Sequence, residues 1–334
     1  HPRSLGEGLM RLFTFQRAAS LDDAVAAGAG SAFLAGGTNL VDLMKIEVLS
    51  PERVVDVSKL DLRRIEVRDG AIEIGALASN TAVAEHGEVR RLAPGLSEAL
   101  LSGASPQLRN AATVGGNLLQ RTRCAYYRDP GTRCNKRQPG SGCDAMQGWT
   151  RMHAIVGTSD HCIAAHPSDM CVALYALDAR VRVRGPAGER EFPVSELHLL
   201  PGEHPDREFS LQPGELITSV RVPLGDLAAR SRYVKVRDRQ SYAFALASCA
   251  AAVQVQGGAI RAARFALGGV GTRPWRVAEA EQSMIGRPAA PETYAQAAEI
   301  ALRGAKPRRD NAFKVELAKR TAVRAFTLSA GALR

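Results

Sequence analysis

Cys124, Cys134, Cys143 and Cys162 fall within 39 residues, with 9, 8 and 18 residues between successive members. Four thiolates suffice for a tetrahedral metal site or for one iron–sulfur cluster. Structural zinc sites usually pair their cysteines two to four residues apart, and no such pair occurs in this window. The spacing therefore favours iron–sulfur over zinc. Two disulfides would use the same four residues, and four unrelated thiols remain open, although nothing in the chain itself signals export. Cys171 and Cys249 lie outside the window on apolar, periodic segments and read as core residues.

Two glycine pairs form the second candidate constellation. Ala35-Gly36-Gly37-Thr38-Asn39-Leu40 follows a strand-like run and opens a helix-like one. Ala112-Thr113-Val114-Gly115-Gly116-Asn117-Leu118 repeats the small-Gly-Gly-polar pattern further on. Glycine lets a backbone approach a pyrophosphate closely, and the exposed N–H groups of the turn then face the anion. Taken alone, either pair is equally an ordinary tight turn. Gly269-Val270-Gly271 runs on to Pro274 rather than completing G-x-G-x-x-G, and no Walker A sequence exists. A Rossmann site and a P-loop are both disfavoured.

The elements that must position these residues follow from periodicity. Ser20 caps a helix over 21–29, 31–35 is a small strand, 40–46 a helix and 53–57 another strand. Residues 63–77 read as a hairpin turning at Asp69-Gly70. Ser79-Asn80-Thr81 caps a helix, and Pro94 opens another that ends at Ser102. From 120 to 166 the apolar periodicity disappears, as in a functional loop or a disordered one. Ser168 caps a helix over 169–177; 180–184 and 191–194 are strands; 198–215 is a connecting loop. After Pro223 the composition changes. Residues 242–256 and 259–267 pair across Gly257-Gly258, and helices follow near 276–285, 292–303 and 312–329. Strands followed by helices suggest a separate α+β domain.

Length fits this division, since 334 residues correspond to about two domains. Hydrophobic and charged fractions of 45% and 23% exclude a disordered or fibrous chain, and no apolar run is long enough to span a membrane. The net charge is +10, concentrated at Arg121–Arg137, at Arg230–Arg239 and between Arg303 and Arg324. These clusters read as solvated surface or a docking face for an acidic partner. Aromatic residues make up only 5% and no nucleic-acid-binding signature accompanies the charge, so a nucleic acid is not expected as partner. Residues 1–9 lack an apolar stretch and do not read as a secretory signal. They are expected to be a tail or expression remnant ahead of Met10.

With these residues in view, the chain resembles the flavin subunits of molybdenum hydroxylases, the xanthine dehydrogenase and carbon monoxide dehydrogenase family. The segments AGGTNL (35–40), ATVGGNL (112–118) and PSDM (167–170) carry the resemblance, which covers nearly everything from Met10. RTRCAYYRD, RCNKRQPGSGCDA and HCIAAHPSDM closely resemble the flavin subunits of bacterial periplasmic aldehyde oxidoreductases, which carry a [4Fe–4S] cluster in an insertion. A similar insertion marks the flavin subunit of 4-hydroxybenzoyl-CoA reductase, the runner-up.

The resemblance implies an α+β fold: a two-subdomain, vanillyl-alcohol-oxidase-type FAD-binding domain over 10–223, divided near 58, with the cluster insertion at about 120–166. A CO-dehydrogenase-flavoprotein-like C-terminal domain would occupy 224–334. It also implies residue roles. Phe33, Leu34, Ala35, Gly36, Gly37, Thr38, Asn39 and Leu40 would wrap the FAD pyrophosphate and ribityl chain. Thr113, Gly116 and Asn117 match the second phosphate loop, with Gly103 and Ala104 as a supporting stretch. Asp169 matches an acidic partner of the flavin's polar chain, Ile217 an aliphatic residue against the isoalloxazine, and Lys235 a basic residue near the flavin. Cys124, Cys134, Cys143 and Cys162 become [4Fe–4S] ligands. The implied activity is electron transfer through FAD to an external acceptor, within a heterotrimer. A large partner would hold the molybdenum cofactor and oxidise the aldehyde, and a small one two [2Fe–2S] clusters. The implied compartment is the periplasm, reached as a folded complex without a signal peptide on this chain, with the cytoplasm as alternative. From other classes, a nucleic-acid-binding iron–sulfur protein would explain charge and cysteines but not the glycine loops, and a structural zinc module remains a third option.

Overall fold

A computed structural model describes residues 10–331, so the expected tail at 1–9 lies outside the described residues. Three sheets succeed one another along the chain. The first contains β1 (Thr14–Arg17), β2 (Ala32–Leu34) and β3 (Arg53–Asp56), parallel and ordered β1-β3-β2. Parallel strands need crossovers, here the helices Leu21–Gly28 and Leu40–Lys45. Ser20 Oγ accepts from the Asp23 amide at 3.1 Å and starts the first of them. The turn 36–39 is the link from β2 into the second helix, so the first glycine pair sits at a strand end.

The second sheet contains β4 (Ile65–Arg68), β5 (Ala71–Gly75), β6 (Arg180–Gly185), β7 (Gly188–Pro193) and β8 (Leu216–Pro223). It is antiparallel, in the order β4-β5-β8-β6-β7. Asp69 and Gly70, at φ 49° and 68°, make the expected two-residue turn. Periodicity assigns no element to 216–223, yet β8 is the middle strand. Its first five residues are all buried, so it shows no alternation to read. Above the sheet lie the short helices between Asn80 and Leu118 and the helix Asp169–Ala176, whose eight residues are all buried.

The third sheet contains β9 (Arg232–Val236), β10 (Ala247–Gln256) and β11 (Ala259–Gly268), antiparallel with β10 in the middle. The strand expected from 242 begins only at Ala247, because Tyr242 adopts φ 52°, outside the β region. Helices Ala278–Gln282, Pro291–Ala301 and Phe313–Gly331 complete this unit, and the last packs along β10 and β9. No helix among the described residues is long and apolar enough to cross a membrane.

Residues 120–166 contain one helical turn, Ala125–Arg128, a 3-10 turn, Asp144–Met146, a backbone bridge between Cys134 and Cys143, and another from Val156 to Gly271. Tyr127, 1% exposed, anchors the segment against Leu43 and Val48 of the first subdomain. The basic residues here depart from the expectation of solvated surface. Lys136 Nζ donates to Glu208 Oε1 and to the Pro205 carbonyl, both at 2.8 Å. Arg121 pairs with the same Glu208, and Arg137 donates to the carbonyls of Tyr126 and Tyr127 at 2.8 and 2.7 Å. A segment with few apolar side chains is held by charge-assisted hydrogen bonds instead.

Candidate functional site

The two glycine loops lie against each other. A Cβ on Gly36 would overlap the Ala111 carbonyl oxygen, and Ala112 is the next nearest backbone. Only a residue without a side chain lets the turn 36–39 reach the strand of chain entering the second loop. Gly37 holds φ 71°, where a side chain is strained. In the second loop Thr113 Oγ1 accepts from the Gly116 amide at 3.3 Å and starts the five-residue helix Val114–Leu118. Gly116 is exposed beside it. Asn39 Oδ1 accepts from the Arg121 amide at 3.1 Å, while its Nδ2 is buried without a partner.

From the second loop a polar chain runs to the third sheet. Ser168 Oγ donates to Asn117 Oδ1 at 2.7 Å and also accepts from the Cys171 amide, capping the helix that Asp169 opens. Asp169 is 9% exposed and receives Lys235 Nζ on one oxygen at 2.7 Å and Tyr233 OH on the other at 2.6 Å. Lys235 Nζ also donates to the Ser102 carbonyl at 3.0 Å. That places the stretch Gly103-Ala104 beside the pair; a Cβ on Gly103 would meet Asp169 Oδ2 at 3.5 Å.

The structure thus brings together the turn 35–39, Gly103, Thr113, Gly116, Asn117, Asp169 and Lys235. Phe33 and Leu34 belong to β2, and the Phe33 ring packs on Gly28 rather than at the turn. Leu40 begins the following helix. Ile217 lies in β8, 2% exposed within the core beneath the helix Val114–Leu118, so its side chain supports the loop from below. Tyr233 and Ser168 are site residues that sequence reading missed as such. A tyrosine two residues before Lys235 on one strand shares its face, which is the signal that could have found it.

The four window cysteines also converge. Cys124 is pushed up to about 12, first by burial and further by Cys134 and Cys162, against the lowering effect of the Tyr127 and Tyr126 amides. Cys143 is raised by burial and by Cys162 and Cys134, and receives the Ala145 and Met146 amides. Cys162 is raised by burial and by Cys134, and accepts from the Ala164 amide at 3.5 Å. All six cysteines are free thiols. Cys171 and Cys249 take no part: burial alone raises Cys249, and Cys171 touches Ser168 and Asp169 instead. The sulfurs of Cys124, Cys143 and Cys162 are each supplied with backbone N–H donors. A single zinc would hold its sulfurs about 3.8 Å apart. Among the described residues no three of these sulfurs lie mutually within 4.8 Å.

The group that does meet that limit is His166, Cys171 and His198. Both nitrogens of His198 and one of His166 are already used, while His166 Nε2 is buried without a partner. His198 Nε2 lies 2.9 Å from the Leu118 carbonyl and Nδ1 3.1 Å from Tyr175 OH, and His166 Nδ1 accepts from the Ser168 amide at 3.3 Å. The trio is a buried hydrogen-bonded junction. A cavity of about 210 Å³ joins the two sites: Cys124, Tyr126 and His153 line one side, Ser168, Asp169 and Gly269 the other.

Residues 11–225 match the family described as "FAD binding domain in molybdopterin dehydrogenase", and residues 232–328 the "CO dehydrogenase flavoprotein C-terminal domain". This chain is an FAD-binding subunit of the molybdopterin dehydrogenase family. It is 48% identical over 318 residues to the aldehyde oxidoreductase FAD-binding subunit PaoB of Escherichia coli, covering 93% of this chain and 96% of that one. It is 26% identical over 279 residues to the glyceraldehyde dehydrogenase medium chain of Sulfolobus acidocaldarius, covering 82% of each. Carbon monoxide dehydrogenase from Hydrogenophaga pseudoflava shares the fold, with TM-score 0.76 at 23% identity over 97% of this chain and 99% of that one. The FAD-binding subunit has a donor set that fits its cofactor. Gly36 and Gly37 leave the turn 36–39 open to close backbone approach, and the orphaned Asn39 Nδ2 offers a donor beside it.

Proposed function

We propose that this FAD-binding subunit is the electron-transfer flavoprotein of a molybdenum-dependent aldehyde oxidoreductase. One observation carries the reading. Two glycine loops close on each other and connect to the buried Asp169–Lys235 pair, in a chain 48% identical to an aldehyde oxidoreductase FAD-binding subunit. FAD supplies one- and two-electron chemistry when bound. The backbone of 36–39 and 113–117 would hold its pyrophosphate, and Asp169 would accept from its polar chain while Lys235 and Tyr233 fix the carboxylate. Our reading of Cys124, Cys134, Cys143 and Cys162 is a [4Fe–4S] site. It is supported by their mutual proximity and by the amide donors to three of the sulfurs.

The proposed assembly is a heterotrimer with a large molybdenum-cofactor subunit and a small subunit carrying two [2Fe–2S] clusters. Electrons would leave through an external acceptor. The proposed compartment is the periplasm, with export as a folded complex on a partner's twin-arginine signal. Visible absorption and iron analysis of the purified chain test the cofactor content. Flavin bands above a broad iron–sulfur shoulder, with about four irons per chain, are expected; flavin bands with no iron would remove the cluster, and a spectrum without flavin would remove the whole reading.

A further inference from the structure

We infer that His153 is a positioning residue that sets the reduction potential of the proposed cluster through a hydrogen bond to the Cys124 sulfur. The inference rests on the [4Fe–4S] reading of the four cysteines. His153 Nε2 lies 3.1 Å from Cys124 Sγ, well inside hydrogen-bonding distance for sulfur. A ligating sulfur has no proton, so the hydrogen in this contact must come from Nε2. The neutral imidazole that carries its proton on Nε2 is the tautomer that makes this donation. The ring thus adds a side-chain donor to the Tyr126 and Tyr127 amides already directed at this sulfur.

The ring is fixed from outside the cysteine segment. The His153 carbonyl accepts from Lys314 Nζ at 3.0 Å and from Asn311 Nδ2 at 3.2 Å. Its amide donates to the Thr150 carbonyl at 2.9 Å, and the Thr150 amide donates to Asp310 Oδ2 at 3.0 Å. Three residues within 310–314, at the start of the last helix, therefore grip 150–153. Lys314 is wholly buried and spends its ammonium on two carbonyls, those of His153 and Gly269. The third unit of the chain so holds the imidazole against a ligand of the segment inserted in the second.

Reduction adds negative charge to a cluster and its sulfurs, so an N–H donor stabilises the reduced form more than the oxidised form. EPR-monitored redox titration of the purified complex tests this. His153→Leu should shift the cluster midpoint to more negative potential at unchanged iron content. His153→Gln, whose amide Nε2 can donate at the same reach, should restore most of the shift. An unshifted midpoint in His153→Leu overturns the inference. Because leucine could also disturb the loop, a second measurement uses the unaltered sequence with 15N-histidine. Pulsed EPR of the reduced cluster should show a weak histidine nitrogen coupling, of the size carried through a hydrogen bond. No coupling, or the strong coupling of a directly bound nitrogen, overturns the inference while leaving the cluster reading intact. A complex without iron overturns both.

Discussion

Gly36 and Lys235 show how single residues set the flavin site. Gly36 touches the Ala111 carbonyl where a side chain would stand, so Gly36→Ala must push the two loops apart. We expect FAD affinity to fall roughly tenfold or more, equal to at least about 1.4 kcal/mol, with iron content unchanged; equilibrium dialysis of flavin measures it. Lys235 is 3% exposed and its partner Asp169 9%. Lys235→Met would leave a buried carboxylate with Tyr233 OH alone, at a cost of about 3 kcal/mol or more. Denaturant unfolding should show that loss. Asp169→Leu in the same chain should return part of it, because no uncompensated charge then remains. The glycine pairs were legible because close backbone approach leaves a mark in composition. The contribution of Tyr233 was not, because only the fold carries a β9 residue to the start of the helix at Asp169.

Elements decide which of these residues meet. Helix starts at Ser20, Ser79 and Ser168 are legible because each hydroxyl accepts from an amide three residues on. The hairpin at Asp69-Gly70 is legible from its turn chemistry. β8 was not legible, because a strand enclosed by neighbours and helices loses the alternation that marks a half-exposed one. The 120–166 segment gives no periodic signal since ion pairs and carbonyl-bound arginines hold it. Its four cysteines should act as one unit: Ser at Cys124, Cys134, Cys143 or Cys162 lowers iron content and opens the segment to protease. Ser at Cys171 or Cys249 keeps iron and costs about 1–2 kcal/mol. Iron loss in Cys171→Ser with iron kept in Cys162→Ser would mean a different fourth ligand. His198 supports the second glycine loop through the Leu118 carbonyl, and burial lowers its pKa to about 4. Between about 4 and its unfolded value near 6.5 the unfolded chain binds the proton and the folded chain does not. Stability should therefore fall with acidification across that window, by up to about 1.4 kcal/mol per pH unit from this group. His198→Gln should flatten that slope in urea titrations at pH 7, 6 and 5.

At the scale of the whole molecule, three units each contribute one wall of a shared site. The first brings the turn 36–39, the second Asp169 and the cysteine segment, and the third Lys235, Gly269 and Lys314. Some of the basic residues are internal to this arrangement, since Arg121 and Lys136 share Glu208 and Lys235 neutralises Asp169. The groups proposed for these walls are electron carriers. Conversion of an aldehyde to a carboxylic acid requires an oxygen atom from water as well as removal of two electrons. Backbone donors around a pyrophosphate, and cysteines around the proposed cluster, would serve the second requirement and not the first. The isolated chain, loaded with flavin, should therefore bleach at 450 nm on titration with dithionite, as flavins do, and stay oxidised in excess aromatic aldehyde under anaerobic conditions. Adding the proposed molybdenum and [2Fe–2S] partners should make the aldehyde alone sufficient to bleach it. Bleaching by aldehyde in the isolated chain would place a substrate site within these three units and overturn the division of labour proposed here.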